Sequence, residues 1–438
     1  MLLLVVIYAA FIGLGLPDTV LGAAWPLMQQ DLMAPLSAVG LLSIIVSVGT
    51  IVSSLWTPTL LRLMGTGKLV FVSIALTAVA SFGYGFSTSF WMMSLFAVPM
   101  GIGAGAIDVA MNNFAAIYLE SKHTSWLHAS WGVGACLGPA LFSISVVTGV
   151  GWRGAYDMVA LILAVIAAMM LVTLPIWKKM EKRDALQQGA AEPKDISLRA
   201  ALKVPGMKLS FWVFFFYSSL EISTSLWCGT YLVARGFEPE IGAIAVSLMF
   251  ASVMVGRILS GFFAIKFTDM RLVHAGIAIV VLGCLVLVLP LPLWFTPVCI
   301  CLLGLGCAPV YPSLIHATPA RFGEELSGRA ISIQMAGSYV GSILMPPAFG
   351  LVAIKTSVIV WPVALALFVG CLLLCVCLLD YVTRKKLHNA FATERIKDIL
   401  HQVEAMAEQR RRLRKERRRE RRKNKLKQAR IKRKLDRH

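Results

Sequence analysis

The stretch "GIGAGAIDVAMNNFAAIY", residues 101–118, sets a carboxylate, Asp108, and two amides, Asn112 and Asn113, in an otherwise oily run. Two more acids stand in similar surroundings, Asp18 in "GLPDTVLGAAW" and Glu221 in "SSLEISTSLW". Desolvation disfavours the charged form of a carboxyl group, so an acid there can take a proton on one side of a barrier and release it on the other. A protonated acid beside a neutral amide can also hydrogen-bond a polyol without stranding a charge. At 100° per residue, Gly101, Gly105, Asp108 and Asn112 fall in a helical stripe about 60° wide, and Asn113 points about 100° away. Glycines four apart let a second helix or a ligand approach the backbone.

The elements that must position these groups are membrane helices. Of 438 residues, 58% are hydrophobic and only 15% charged, and apolar runs of about 20 residues, the length that crosses a bilayer, recur up to Tyr381. Polar breaks divide the body into twelve expected spans: 2–27, 37–61, 68–87, 90–119, 127–149, 153–177, 207–234, 240–265, 271–290, 293–318, 326–353 and 357–382. No stretch reads as a water-soluble catalytic domain, so the chain is not expected to be an enzyme. The opening "MLLLVVIYAAFIGLGL" lacks a charged leader and reads as a retained helix.

The net charge of +19 belongs to one appendage. Residues 383–438 hold 23 Lys and Arg against 7 Asp and Glu, a surplus of 16, which leaves +3 for the rest. Alternate connections between spans carry fifteen basic residues against three (Arg153, Arg235 and Lys355) on the opposite set. Because short cytoplasmic loops hold the excess of Lys and Arg, both termini are expected in the cytoplasm. The expected division is an N-terminal six-helix bundle (1–177), a cytoplasmic linker (178–206), a C-terminal bundle (207–382) and a basic cytoplasmic tail (383–438). The tail's apolar residues Ile396, Ile399, Leu400, Val403 and Met406 follow helical spacing; a helix on anionic lipid headgroups, or solvated disorder, is expected, and no nucleic-acid partner. The nine cysteines lack metal-site spacing, so neither metal nor cofactor is expected.

A shift of about 200 residues superposes weak features in a common order. "GTIVSSLW" (49–56) is similar to "GRILSGFF" (256–263), "GACLGPALF" (134–142) to "GSILMPPAFG" (341–350), and Asp18 corresponds to Glu221. Such a chain resembles a major facilitator, which implies an all-α membrane fold of twelve transmembrane helices in two pseudo-symmetric six-helix bundles, with the solute site between them. The loops "RLMGTGK" (62–68) and "GRILSGFFAIKFTDMR" (256–271) resemble the superfamily's basic, glycine-rich loop, the first without its acid. Asp108 with Asn112, together with "YSSLEIS" (217–223), "PVYPSLIHATPARFG" (309–323) and "QMAGSYVGSILMPP" (334–347), resembles more specifically the fucose–proton symporter family and its bacterial relatives.

That resemblance implies alternating-access import of a small polar solute, a monosaccharide, with protons, by a multi-pass protein of the plasma membrane of a bacterium, expected to be a monomer. Sodium coupling would use the same residue types and stays open. All three acids fall on spans one, four and seven, which line the cavity of major facilitators: Asp108, Glu221 and Asp18 are the proton-coupling candidates. Asn112, Gln334, Trp25, Tyr217 and Asn113 are the solute-binding candidates; Trp25 and Tyr217 share faces with Asp18 and Glu221, and packing explains those two, and Gln334, as well. Arg257, His128 and His316 are assigned to gating or structure. Asp157, four residues after Arg153, is expected to pair with it. Trp91, Trp126, Trp152, Trp177, Trp294 and Trp361 lie at span ends, as an interfacial belt requires. The alternative function is a proton-coupled efflux antiporter, raised by the glycines and proline of "GACLGP" (134–139); tight helix packing explains the same composition.

Overall fold

Apolar sequence with no water to satisfy its backbone must close its hydrogen bonds within each segment, and helices result. The computed structural model describes residues 2–35, 38–187, 196–237, 239–289 and 295–384. The long helices are α1 (Leu2–Asp31), α2 (Ala38–Met64), α3 (Thr66–Phe86), α4 (Phe90–Tyr118), α5 (Ser121–Val147) and α6 (Gly151–Gln187). They continue with α7 (Met207–Ala234), α8 (Pro239–Phe263), α9 (Asp269–Val288), α10 (Phe295–His316), α11 (Glu324–Lys355) and α12 (Val358–Arg384). Among the described residues, 11 helices are long and apolar enough to cross a membrane. The other is α7, 28 residues long, whose Lys208, Glu221 and many serines lower its hydropathy.

Local chemistry sets the ends. Ser89 caps α4 by accepting the Met92 N–H, which satisfies one of the free donors at a helix start. Gly65, at φ 76° and ψ 163°, takes a positive-φ backbone conformation that favours glycine and turns α2 into α3. The carboxylate missing from the α2–α3 loop comes from elsewhere: Glu181 of α6 accepts the Thr66 N–H at 2.7 Å, at the positive end of α3.

Three expectations change here. Span ten is interrupted at Ala308 and Pro309, where the helix turns before resuming at Val310, because proline offers no N–H to the preceding turn. α6 runs ten residues past its expected end at 177, to Gln187. The tryptophans do not form one belt: Trp91 is exposed, but Trp152, Trp177 and Trp361 are buried. Trp177 packs on Phe114 and beneath Gly67, and Trp361 against Tyr231. Trp294 and the tail beyond Arg384 lie outside the described residues.

Two cores hold the helices. One is built from residues 6–177, and the other from residues 201–379 with only Val109 and Ala116 of α4 added. Within them α1 packs on α5 and α2 on α4, and by the same plan α7 packs on α11 and α8 on α10. α2 meets α11, and α5 meets α8, across the divide. The glycines of "GACLGP" serve this packing: Gly134 lies against the Ile12 carbonyl and Gly138 against Leu16 and Thr19, leaving no room for a side chain between α5 and α1.

Candidate functional site

Helix α4 brings Asp108 to the divide. Its Gly101 and Gly105 are filled by α2, against the carbonyls of Val46 and Thr50, so the bare backbone serves a helix contact. The same face then presents Asp108, buried, and Asn112, fully buried. One turn apart, they bond directly: Asn112 Nδ2 donates to Asp108 Oδ1 at 2.7 Å. With the amide nitrogen so committed, its oxygen faces α5, where His128 Nε2 donates to Asn112 Oδ1 at 3.0 Å. From the opposite half, Tyr339 of α11 donates its hydroxyl to Asp108 Oδ2 at 2.5 Å.

The network continues through Arg257 of α8. Its Nη1 reaches the His128 carbonyl at 3.4 Å and its Nη2 pairs with Glu221 Oε1 of α7 at 3.1 Å. The side chains of Arg257 and Glu221 are 7% and 16% exposed, so this ion pair is largely buried. The Arg257 guanidinium stands 5.9 Å from the centroid of the Trp131 ring. Trp131 donates its indole N–H to Asp18 Oδ2 at 3.3 Å, and Asp18 itself is exposed to solvent. All three acids thus join one assembly. Tyr311 of α10 closes it from the side, edge-on to His128 with ring centroids 4.9 Å apart, and packs on Phe214 and Tyr217.

The other expected site residues take varied places. Tyr217 gives its hydroxyl to the Cys307 carbonyl at 3.2 Å. Gln334 exchanges hydrogen bonds with Thr318 at 3.1 Å, an inter-helix tie. Trp25 is buried in the N-terminal core. Asn113 faces Gly328 of α11, and its buried Oδ1 has no protein partner. His316 lies at the end of the bundle that carries the α4–α5 and α8–α9 connections: Nδ1 meets Asp269 at 2.7 Å and Nε2 the Leu119 carbonyl at 3.1 Å. Ser121 donates to the same Asp269, so this end is tied across the two halves. A surface cleft of about 550 Å³ beside these residues is lined by none of the three acids. Asp157 is not the partner of Arg153. Arg153 pairs with Asp31 of α1 at 2.8 Å, and Trp152 donates to the same carboxylate. An acid following a base at i+4 opposes the favourable helical order, and Asp31 offers two donors at once.

The family model for the Major Facilitator Superfamily matches residues 7–302 and 270–423. The chain belongs to the major facilitator superfamily. Its fold is similar to that of FucP, a superfamily transporter solved in the outward conformation, at TM-score 0.67 and 13% identity over 86% of this chain and 98% of that one. It is also similar to the proton:xylose symporter XylE bound to 6-bromo-6-deoxy-D-glucose, at TM-score 0.71 and 10% identity over 87% of this chain and 95% of that one. A structure of the E. coli fucose:proton symporter carrying a substitution gives 0.65 and 14%, over 87% and 98%. No curated protein matches the chain. As a major facilitator it is a multi-pass membrane transporter, and the Asp108 network joins side chains of its two cores.

Tyr339, Trp131 and Tyr311 escaped the sequence reading. Trp131 had a signal, three residues from His128 and so on the same face of α5. Tyr339 and Tyr311 had none beyond their place in polar motifs, because which helix they meet is a tertiary matter.

Proposed function

We propose that this major facilitator imports a small polar solute, a monosaccharide, together with protons. The observation that carries the reading is the Asp108 carboxylate, held by Asn112 of its own helix and by Tyr339 of the opposite half. Protonating Asp108 turns an acceptor of two hydrogen bonds into a group that accepts one and donates one. The contact with Tyr339 then weakens, and the two halves are freed to move. Sugar hydroxyls, which both donate and accept, replace Tyr339 and Asn112 as partners without leaving a bare charge. Glu221 is neutralised by Arg257, whereas exposed Asp18, held by a neutral indole, is a second place for a proton. Alternation follows if a loaded, protonated site lowers the free energy of exchange between the two states.

With the basic connections facing the cytoplasm, the end tied by His316, Asp269 and Ser121 is the cytoplasmic one, and the described conformation is closed there. The glycines that raised the efflux alternative pack against α1, which supports the packing reading of that segment. The test is alkalinisation around proteoliposomes offered a panel of monosaccharides. A response to one sugar that survives sodium-free buffer supports the reading; silence for every sugar, with drug-driven proton release from the lumen, overturns it.

A further inference from the structure

Proline inside a helix leaves one carbonyl without its N–H, four residues back. In α2 that proline is Pro58, and the carbonyl it strands is that of Ser54. Ser54 is fully buried, so its carbonyl cannot turn to water in this conformation. It is met from the other half instead, by the hydroxyl of Ser332 of α11, at 2.6 Å. One turn before Ser332, Arg329 gives Nη1 to the next carbonyl, of Leu55, at 2.8 Å and Nη2 to Thr59 Oγ1 at 3.2 Å. Its Nε reaches the Ile196 carbonyl, in the segment that joins the halves, at 3.2 Å.

The same device occurs within one half as well. Pro139 of α5 strands the Ala135 carbonyl, and Thr19 of α1 fills it at 2.8 Å. The two differ in one respect. α1 and α5 belong to one core, whereas α2 and α11 belong to different cores.

We propose that Pro58 templates a latch: it strands a carbonyl that Ser332 satisfies only while the two halves are closed at this end. When α2 and α11 part, water reaches the Ser54 carbonyl and replaces the serine; when they close, water is expelled and the hydroxyl must be there. Ser332 therefore sets the population of the closed state and not the stability of the fold. Arg329 adds a second tie to the same turn and to the linker. This rests on the alternating-access reading above, but not on the identity of the solute.

The test uses the full chain in lipid nanodiscs and reads amide hydrogen exchange at the α4–α5 and α8–α9 connections. These lie at the same end on other helices, so a purely local loosening of α2 and α11 does not reach them. Ser332→Ala leaves a buried carbonyl unsatisfied in the closed state alone, and exchange at both connections is expected to rise about fivefold. Thr19→Val removes the equivalent bond inside one half and leaves that exchange unchanged. Pro58→Ala returns an N–H to the Ser54 carbonyl, so adding Ser332→Ala to that background is expected to have little further effect. The proposal is overturned if Ser332→Ala exchanges as the wild type does, if Thr19→Val matches it, or if its effect persists undiminished beside Pro58→Ala. Solute uptake by wild-type proteoliposomes is a separate readout: its absence removes the import reading and leaves the latch standing on exchange alone.

Discussion

Tyr339 of α11 and Asp108 of α4 lie in different halves and share one hydrogen bond, 2.5 Å long, with the phenol donating to the carboxylate. The acid that first stood out in an apolar helix is therefore also a point where the C-terminal half touches the N-terminal one. Asp108→Asn keeps the volume and removes the proton. It is expected to abolish uphill accumulation while sparing solute exchange down a gradient. Wild-type accumulation with unchanged pH dependence in proteoliposomes would sink the coupling role.

Tyr339→Phe deletes a donor to a charged acceptor and leaves Asp108 Oδ2 dependent on solvent or solute. A hydrogen bond to a charged group is worth about 1.5–3 kcal/mol, so loss of this tie between the halves is expected to change initial uptake about tenfold or more and to lower stability by no more than that amount. Uptake kinetics beside an unfolding curve separate this from a folding defect.

Arg257 and Glu221 form a buried pair, and breaking such a pair costs more than removing it. Arg257→Ala strands the Glu221 carboxylate and is expected to destabilise the protein by about 3–5 kcal/mol. The double variant Arg257→Ala with Glu221→Ala is expected to recover part of that loss. Unfolding of all three variants in detergent gives the coupling energy; strictly additive losses would mean the pair is not a unit.

Asp31 lies beyond the apolar part of α1, where the Trp152 indole first, and then the Arg153 guanidinium, hold its carboxyl below the usual range. A carboxyl depressed in the folded state stabilises above its unfolded value, near pH 4, and loses that contribution as pH falls through the folded value. The pair is half-exposed, so Asp31→Asn is expected to cost no more than about 1 kcal/mol at pH 7. The difference from wild type should shrink below about pH 4, which thermal unfolding at several pH values can follow.

Removal of residues 390–438 is expected to leave transport intact in correctly inserted protein, because the network from Asp18 to Tyr339 is complete without the tail. Uptake normalised to inserted protein checks this; a loss of turnover would assign the tail a role in the cycle.

Helix number and the local part of the site were legible in the sequence, for one physical reason. In a bilayer each segment must satisfy its own backbone, so length and apolarity alone declare a helix, and the 3.6-residue period alone puts Asp108 and Asn112 on one face. Their 2.7 Å bond needs no other element. What the tertiary structure decided is every pairing between helices. Arg257 takes Glu221, 36 positions away, and Arg153 takes Asp31 and not Asp157 on its own helix. Trp361 is buried where Trp91 meets the surroundings, though both lie at span ends. Gly101 and Gly105 receive α2, and Ser332 meets a carbonyl that a distant proline left bare. A one-dimensional period states which residues share a face of a helix; which neighbour that face meets depends on how two six-helix cores pack, and no single segment carries that information.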